Sequence, residues 1–278
     1  MKIKNILYLF LLTNITVPYI FTMEEPKTGR PYEEIKIFFD LNPDIFEALK
    51  EFHRLEKSEK LILPVELRDM IIEAIRSDKN GLALLNAIKN SNIDEVNRLL
   101  KKPYININVQ GEYGITPLME AVRKRRSEAK ECVEIVKILL EKGANLDLQD
   151  SYGSTALHYA VNMNKPEIVQ MLLEKGANPN MQNKDGETAL HRASVAQPEI
   201  VKMLLEKGAN PNLQDKLGWA ALYWAVRMAN SEIVQMLLEK GANPNLKNIK
   251  GYTVFNVARG YYCDANIVQM LNDALKKR

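Results

Sequence analysis

Residues 174–180 read Glu-Lys-Gly-Ala-Asn-Pro-Asn, and the first five of these residues occur at three further places in the chain. The three places are Glu141–Asn145, Glu206–Asn210 and Glu239–Asn243. A glycine also opens each unit, with spacings of 39, 33, 32 and 33 residues between Gly114, Gly153, Gly186, Gly218 and Gly251. Similarity at this period predicts a stack of small units rather than one globular core.

The unit at residues 150–180 shows how each repeat should fold. Thr155 is suited to cap a helix, because its hydroxyl can accept a backbone N–H that the first helical turn leaves without a partner. A short helix is predicted from Ala156 to about Met163, and Pro166 suits the first position of a second helix. Gly176 should end that helix, since glycine takes the left-handed conformation at little cost. Each unit is therefore predicted to be a turn, a short helix, a second helix and a loop.

Two segments carry a family resemblance. Thr155-Ala-Leu-His-Tyr-Ala160 and Thr188-Ala-Leu-His-Arg-Ala193 resemble the Thr-Pro-Leu-His-x-Ala signature of ankyrin repeats. The resemblance covers residues 80–278 and implies an all-α fold: an ankyrin-repeat solenoid of about six helix-turn-helix repeats with a small helical N-terminal cap. It also implies that His158 and His191 make structural hydrogen bonds between neighbouring turns rather than bind a metal ion.

Two units depart from this pattern. The unit from Gly114 has six extra residues (39 instead of 33) within Arg123–Glu131, which we expect to lengthen its first helix or the loop between its helices. In the unit from Gly218, the sequence Trp219-Ala-Ala-Leu-Tyr-Trp224 lacks both the threonine and the histidine of the signature. That unit should lose the polar helix cap and gain three aromatic rings.

The N-terminal segment has the pattern of a secretory signal. Lys2 and Lys4 precede a short apolar run that Thr13 and Asn14 interrupt. Residues 1–22 are therefore predicted to be a signal peptide, with cleavage near Thr22, and the protein to be secreted or exported. The alternatives are a membrane-anchored protein, in which this segment stays uncleaved, and a cytoplasmic one.

Residues 23–79 are predicted to form a linker followed by the helical cap, and residues 80–278 the repeat array. Within the cap, at residues 61–77, Leu63–Ile71 resembles the start of an F-box, which opens Leu-Pro-x-Glu-Leu. That resemblance implies docking on a ubiquitin-ligase adaptor. The alternative is a helix that covers the apolar edge of the first repeat.

Composition and motif content argue against nucleic-acid binding, catalysis and metal binding. The net charge of +3 is too small to indicate a nucleic-acid-binding protein. Cys132 and Cys263 lie in different repeats, too far apart for the disulfide reach of ~6 Å between Cα atoms, so both are expected to be thiols. No phosphate-binding glycine loop or nucleophile-and-base pair occurs, and we predict no enzymatic activity, no cofactor and no metal.

The resemblance to ankyrin repeats implies that a partner protein binds the turn tips and the exposed side of the first helices. Residues at these positions differ between units while the helical framework barely changes. The residues predicted to contact the partner are Tyr113, Tyr152, Lys184, Asp185, Lys216, Leu217, Trp219, Arg227, Tyr252 and Tyr261. Aromatic residues and arginine supply most interface energy, so the centre of binding is predicted in the last two units.

The predicted function is a non-catalytic protein–protein interaction module, and the signal-like segment suggests a secreted effector of a host-associated microbe. Two alternatives stay open. One is a ubiquitin-ligase substrate adaptor, and the other is a membrane-tethered scaffold. The protein is expected to be a monomer that binds another protein and neither nucleic acid nor a small-molecule substrate.

Overall fold

The structure is a computed structural model that describes residues 78–102, 105–124, 129–259 and 264–276. The predicted signal peptide, most of the predicted cap with its F-box-like segment, Tyr261 and Cys263 lie outside these residues. Packing divides the chain into two units, Met1–Lys79 and Asn80–Arg278. The second unit contains the repeats and is described here by itself.

The repeat unit of the fold is a pair of antiparallel helices, and no strand occurs in the residues that the structure describes. Residues 78–89 are helical and precede α1 (Ile93–Leu100). Five pairs follow: α2 (Pro117–Arg123) with α3 (Ala129–Glu141), α4 (Ala156–Asn162) with α5 (Pro166–Glu174), α6 (Ala189–Ala193) with α7 (Pro198–Glu206), α8 (Ala221–Arg227) with α9 (Ser231–Glu239), and α10 (Val254–Ala258) with α11 (Ala265–Lys276).

Helix starts follow the chemistry that the sequence predicts. Thr155 and His158 form a reciprocal capping box at the start of α4, and Thr188 and His191 form the same box at α6. Pro166 lies in the first turn of α5, where its missing N–H costs nothing. These caps fix the point at which each extended turn becomes helix.

The helix pairs stack in a row and share one apolar core. Each first helix packs on its own second helix and on the first helices of the units before and after it. Leu118, Leu157, Leu190 and Leu222 occupy equivalent positions in successive units, and each is 1% exposed. No pair could bury such a face alone, because the residues that cover it belong to the neighbouring repeats.

The insertion in the unit from Gly114 does not lengthen the first helix. Helix α2 has 7 residues, as does α4, whereas α3 has 13 residues compared with 9 in α5. Of the two predicted alternatives, the longer first helix is therefore wrong, and part of the insertion extends the second helix at its N-terminal end. At that end Lys130 and Glu131 are exposed, whereas Cys132 is 1% exposed and packs in the core.

The turns between repeats are tied together by backbone hydrogen bonds. The N–H of Ser151 donates to the carbonyl oxygen of Tyr113 over 2.7 Å, and that of Lys184 donates to Tyr152 over 2.8 Å. The N–H of Lys216 donates to Asp185 over 2.9 Å, and that of Ile249 donates to Leu217 over 3.1 Å. This ladder holds the tips in one line along the array and fixes the direction in which their side chains project.

Candidate partner-binding surface

The turn tips present an exposed and largely apolar ridge. Tyr113, Tyr152, Asp185 and Leu217 each directly precede the glycine that opens a unit, so they occupy one equivalent position. Tyr113 is 67% exposed and Leu217 is 56% exposed. The structure therefore places these four predicted residues together on one edge of the array. Ile249, one residue earlier in its turn, is 68% exposed and extends the same ridge.

The predicted lysines stand beside this ridge. Lys184 and Lys216 each lie two residues before an opening glycine, and both side chains are exposed. Their backbone N–H groups are used in the ladder between turns, while their ammonium groups have no acidic partner within the described residues. The tips therefore combine positive charge with apolar surface.

Trp219 begins an aromatic cluster in the unit that lacks threonine and histidine. Its ring stacks on Tyr223, with ring centroids 3.9 Å apart and planes 14° apart. Tyr223 meets Trp224 edge to face at 5.1 Å. Trp219, Tyr223 and Trp224 are all half-buried, so each ring retains an exposed part. Stacked and edge-on aromatic pairs are stabilising arrangements, and here they hold a broad aromatic surface in place.

Arg227 completes this cluster on its helical side. Its guanidinium carbon lies 5.6 Å from the centre of the Trp224 ring, a cation–π distance. One guanidinium nitrogen, Nη1, is 3.4 Å from the Tyr223 hydroxyl. In the same environment the Nε1 of Trp224 is shielded from solvent and has no hydrogen-bond partner. The cluster thus holds several N–H donors with few acceptors.

Tyr252 stands at the position after its opening glycine, equivalent to Trp219, and is 52% exposed. Its backbone N–H donates to Asn248 Oδ1 over 2.9 Å, and its carbonyl oxygen accepts from the Asn248 N–H over 2.8 Å. The backbone of the turn is therefore rigid while the ring projects. Tyr261, the last predicted contact, lies outside the described residues.

Tyr159 and Arg192 lie on the first helices and are absent from the sequence-based prediction of contact residues. Tyr159 donates its hydroxyl hydrogen to Asp150, and Arg123 lies over its ring at 5.4 Å. Burial and the hydrogen bond to Asp150 raise the pKa of the Tyr159 hydroxyl. One unit later, Arg192 Nη2 is 2.7 Å from Glu187 Oε2. Tyr159, Arg192 and Trp224 occupy one position of the repeat, so alignment of the units could have identified them.

The histidines have a structural arrangement. The backbone N–H of Thr155 donates to His158 Nδ1 over 3.2 Å, which leaves Nε2 as the donor to the Glu187 carbonyl oxygen at 3.1 Å. His191 repeats the pattern with Thr188 and with the Trp219 carbonyl oxygen, also at 3.1 Å. Burial lowers the pKa of both imidazoles. Both rings are therefore held neutral as links between repeats, as the resemblance implies.

Comparison with protein families agrees with this architecture. The sequence profile described as ankyrin repeats (3 copies) matches residues 55–150, 84–183 and 164–248, which together make up more than half of the chain. The chain belongs to the ankyrin repeat family. Ankyrin repeats are protein-interaction modules, and the repeat array of this chain is such a module. The first matched segment begins at residue 55 and so includes the F-box-like stretch.

Curated relatives share parts of the array. One is the ankyrin repeat protein YahD of Escherichia coli (strain K12), 38% identical over 80 residues, which are 29% of this chain and 39% of YahD. Another is an ankyrin repeat protein of Rickettsia bellii (strain RML369-C), 30% identical over 132 residues, which are 47% of this chain and 37% of that protein. The chain matches less than half the length of either relative.

Solved structures are similar over longer stretches. An ankyrin repeat domain from Acinetobacter baumannii AYE is 32% identical with a TM-score of 0.61, covering 69% of this chain and 96% of that one. A chain in the structure of the predatory endopeptidase Bd0816 from Bdellovibrio bacteriovorus in complex with immunity protein Bd3460 is 31% identical with a TM-score of 0.56. That match covers 70% of this chain and 98% of the other.

Among the helices described, none has the length and apolar character required to cross a membrane. Across the same residues, no group of three or more histidine, cysteine, aspartate or glutamate side chains is arranged to hold a metal ion.

Proposed function

We propose that this protein is a non-catalytic binding protein that holds one partner protein against its turn tips and first helices. The centre of the contact would be the units that open at Gly218 and Gly251. The observation that carries this proposal is that Trp219, stacked on Tyr223, and the exposed Tyr252 occupy equivalent positions in hydrogen-bonded turns. Large aromatic side chains fixed in this way lose little entropy when a partner covers them.

The extent of the surface supports the proposal. A specific protein complex buries ~800 Å² on each partner. The tips from Tyr113 to Ile249 form one continuous line, so three or four neighbouring repeats could supply that area. The similarity to a chain from the Bd0816–Bd3460 structure adds support, because that structure is a complex of two proteins.

The proposal is tested by affinity purification of the full chain followed by mass spectrometry. A double variant, Trp219→Ala with Tyr252→Ala, removes both central rings and is expected to lose the partner, since each such residue contributes about 2 kcal/mol or more at an interface centre. The control is Tyr113→Ala with Tyr152→Ala, which removes two rings that are more exposed from equivalent turns of earlier repeats. We expect the control to retain most of the binding.

Circular dichroism of both variants should show the helical signal of the parent protein, because these side chains are exposed or half-buried. Recovery of the same partner by the Trp219 and Tyr252 double variant would refute the assignment of the binding centre. Failure of the parent chain to retain any protein would refute the proposed function itself.

We further propose that the protein is exported before it binds its partner. The support is the sequence of the N-terminal segment, in which Lys2 and Lys4 precede an apolar run. Determination of the N-terminal residue of the mature protein tests this. Cleavage near Thr22 with the protein in the medium supports export, whereas an intact N-terminus in the membrane fraction would indicate a tethered scaffold and one in the cytosol would exclude both.

A further inference from the structure

The exposed charges of the last three tip-and-helix segments are almost all positive. These segments, residues 183–195, 215–229 and 248–259, are called the basic face below. Exposed basic side chains on this face are Lys184, Arg192, Lys216, Arg227, Lys250 and Arg259, whereas the one exposed acid is Asp185. The two other acids of the face, Glu187 and Asp215, are buried. In segment 183–195 the two basic residues are offset by Asp185 and Glu187, so the net positive charge of the face lies in segments 215–229 and 248–259.

The excess of positive charge on this face is absent from the second helices of the same region, although the sequence holds another basic run, Arg123-Lys124-Arg125-Arg126, in an earlier unit. The second helices and loops of the same region, residues 197–214 and 230–247, contain four glutamates and four lysines. The tips and first helices of the earlier units, residues 110–124 and 149–163, contain three acids and two basic residues. The imbalance is thus a property of one face rather than of overall composition, and it complements an acidic partner.

Arg227 differs from the other arginines of the first helices in having no acid beside it. Arg192 pairs with Glu187 at 2.7 Å, and Arg123 pairs with Glu120 at 3.5 Å. For Arg227 the contacts among the described residues are the Trp224 ring and the long contact to the Tyr223 hydroxyl. A guanidinium that lies over a ring contacts it with a flat face, and its N–H donors lie at the edge. Those donors suit a carboxylate, which they can bind with two parallel hydrogen bonds.

The neighbouring aromatic surface suits an apolar side chain adjacent to that carboxylate. Trp219 and Tyr223 stack in parallel beside Trp224 and Arg227, and both keep an exposed part. Trp224 Nε1 is shielded from solvent and has no acceptor, so the accessible N–H donors beside the stacked pair are those of Arg227.

We propose that the partner of this array is an acidic protein segment that places a carboxylate on Arg227 and an apolar side chain on the Trp219–Tyr223 pair. This inference rests on the proposed function, because it names the chemistry of the partner that the same surface binds. The surrounding lysines and arginines would steer the segment towards the site without fixing its sequence.

The test uses a random linear peptide library displayed on phage and selected on the full chain. We expect the selected peptides to be enriched in aspartate and glutamate with an adjacent aromatic or large aliphatic residue. Their binding should weaken as salt is added, because exposed charges are screened over a Debye length of about 10 Å at 0.1 M ionic strength. A neutral or basic consensus, or the absence of any enriched peptide, would overturn the inference.

The role of Arg227 is tested by calorimetry with one selected peptide. Arg227→Gln keeps the length and polarity of the side chain but removes its charge, and it should weaken binding about 10-fold or more, since losing one partner of a charge pair has large effects. The matched control is Arg123→Gln. Arg123 also lies over a ring, that of Tyr159, but it already pairs with Glu120. The control should change affinity by no more than about 2-fold, in keeping with an exposed ion pair.

Equal weakening by the two substitutions would overturn the assignment of the carboxylate to Arg227. A single-stranded oligothymidylate serves as a second probe, because stacked rings with basic residues can also bind nucleic acid. Tighter binding of that probe than of any selected peptide, lost in Arg227→Gln, would replace an acidic segment with nucleic acid as the ligand.

The proposed function and the inference of an acidic partner can fail separately. If affinity purification recovers a protein that depends on Trp219 and Tyr252 but the library gives no acidic consensus, the proposed function stands and the present inference falls. If neither experiment yields a protein or a peptide, both fall.

Discussion

His158 Nε2 donates a hydrogen bond to the carbonyl oxygen of Glu187, 3.1 Å away in the next repeat. The same imidazole accepts the backbone N–H of Thr155 at Nδ1. One neutral ring therefore caps its own helix and joins two units. Protonation at Nδ1 would remove the acceptor, which connects the stability of the array to pH.

The free energy of unfolding should decrease as the pH falls below the ordinary histidine pKa of 6.5. Burial lowers the pKa of His158 and His191 in the folded state, so the unfolded state binds protons more readily. The contribution of the neutral rings is thus complete above 6.5 and is lost as pH falls through the interval down to the folded-state pKa values. Urea unfolding at a series of pH values measures this.

The chain itself supplies a control without a titrating ring. At the start of α10, Asn256 stands in the histidine position and its Oδ1 accepts the Thr253 N–H over 2.8 Å. The double variant His158→Asn with His191→Asn should keep this cap but lose the pH dependence between neutral pH and pH values near 5. An unchanged pH profile in that variant would contradict the assignment to these two histidines.

Glycines of the opening turns should be needed for two separate reasons. Gly153 has φ of +73°, and a Cβ there would come within 2.7 Å of the Lys184 backbone nitrogen. Gly251 has φ of +79° with nothing within 4 Å. We expect Gly251→Ala to cost about 1–2 kcal/mol for the left-handed backbone alone. Gly153→Ala should cost more, because the turn of the next repeat must also move.

Denaturant unfolding of the two glycine variants gives the comparison directly. Equal losses would mean that the approach of neighbouring turns adds nothing to the conformational cost. The difference between the two variants measures the additional steric cost of placing a Cβ against the turn of the next repeat.

Restoring the missing threonine and histidine in the unit from Gly218 should stabilise the array and weaken its binding of the partner. The double variant Ala220→Thr with Tyr223→His provides the capping box, worth about 1 kcal/mol. It also provides a donor to the Tyr252 carbonyl oxygen, by analogy with His191 and Trp219, worth about 1 kcal/mol. The stacked partner of Trp219 is lost in exchange, so affinity for the partner should fall.

Thermal unfolding and the affinity purification described above measure the two effects on the same protein. A variant that is more stable and binds as well as the parent would show that the Trp219–Tyr223 pair has no role in binding. A variant that is less stable would show that the aromatic pair contributes more to folding than the polar cap does.

Most of the fold is predictable from the sequence, because short-range rules of helix capping and turn geometry determine where each helix begins and ends. Thr155 and Pro166 start helices where expected, because capping and proline geometry depend on the chain itself. The sequence does not predict the longer second helix after the insertion, since nothing in residues 123–131 shows which element the extra residues join. That choice depends on packing between helices, since Cys132 at the added end of α3 is buried in the core.

The candidate surface was predictable by position but not by contact. Tyr113 and Leu217 project as the repeat alignment predicts. The stacking of Trp219 on Tyr223 and the ion pair of Arg192 with Glu187 depend on side-chain distances that period alone does not give. The sequence predicts Arg227 as a contact residue. Its lack of an acidic partner among the described residues is visible only in the three-dimensional structure.

Lys165 should stabilise the C-terminal end of α2 from the next repeat. Its ammonium donates to the carbonyl oxygens of Val122 over 2.9 Å and Lys124 over 2.6 Å, and it is 3.3 Å from the Cys132 sulfur. The last carbonyls of a helix have no partner within the helix and carry partial negative charge, so a cation is favourable there. Lys165→Met keeps the length of the side chain and removes these bonds.

We expect Lys165→Met to destabilise the array by about 1.5–3 kcal/mol, the range for hydrogen bonds to a charged group. Gln197 occupies the same position in the following unit and donates one hydrogen bond, from Nε2 to the Val161 carbonyl oxygen over 3.0 Å. Lys165→Gln should therefore recover part of the loss. Urea unfolding of the two variants provides the measurement, and equal stability of Lys165→Met and the parent protein would show that α2 ends without help from its neighbour.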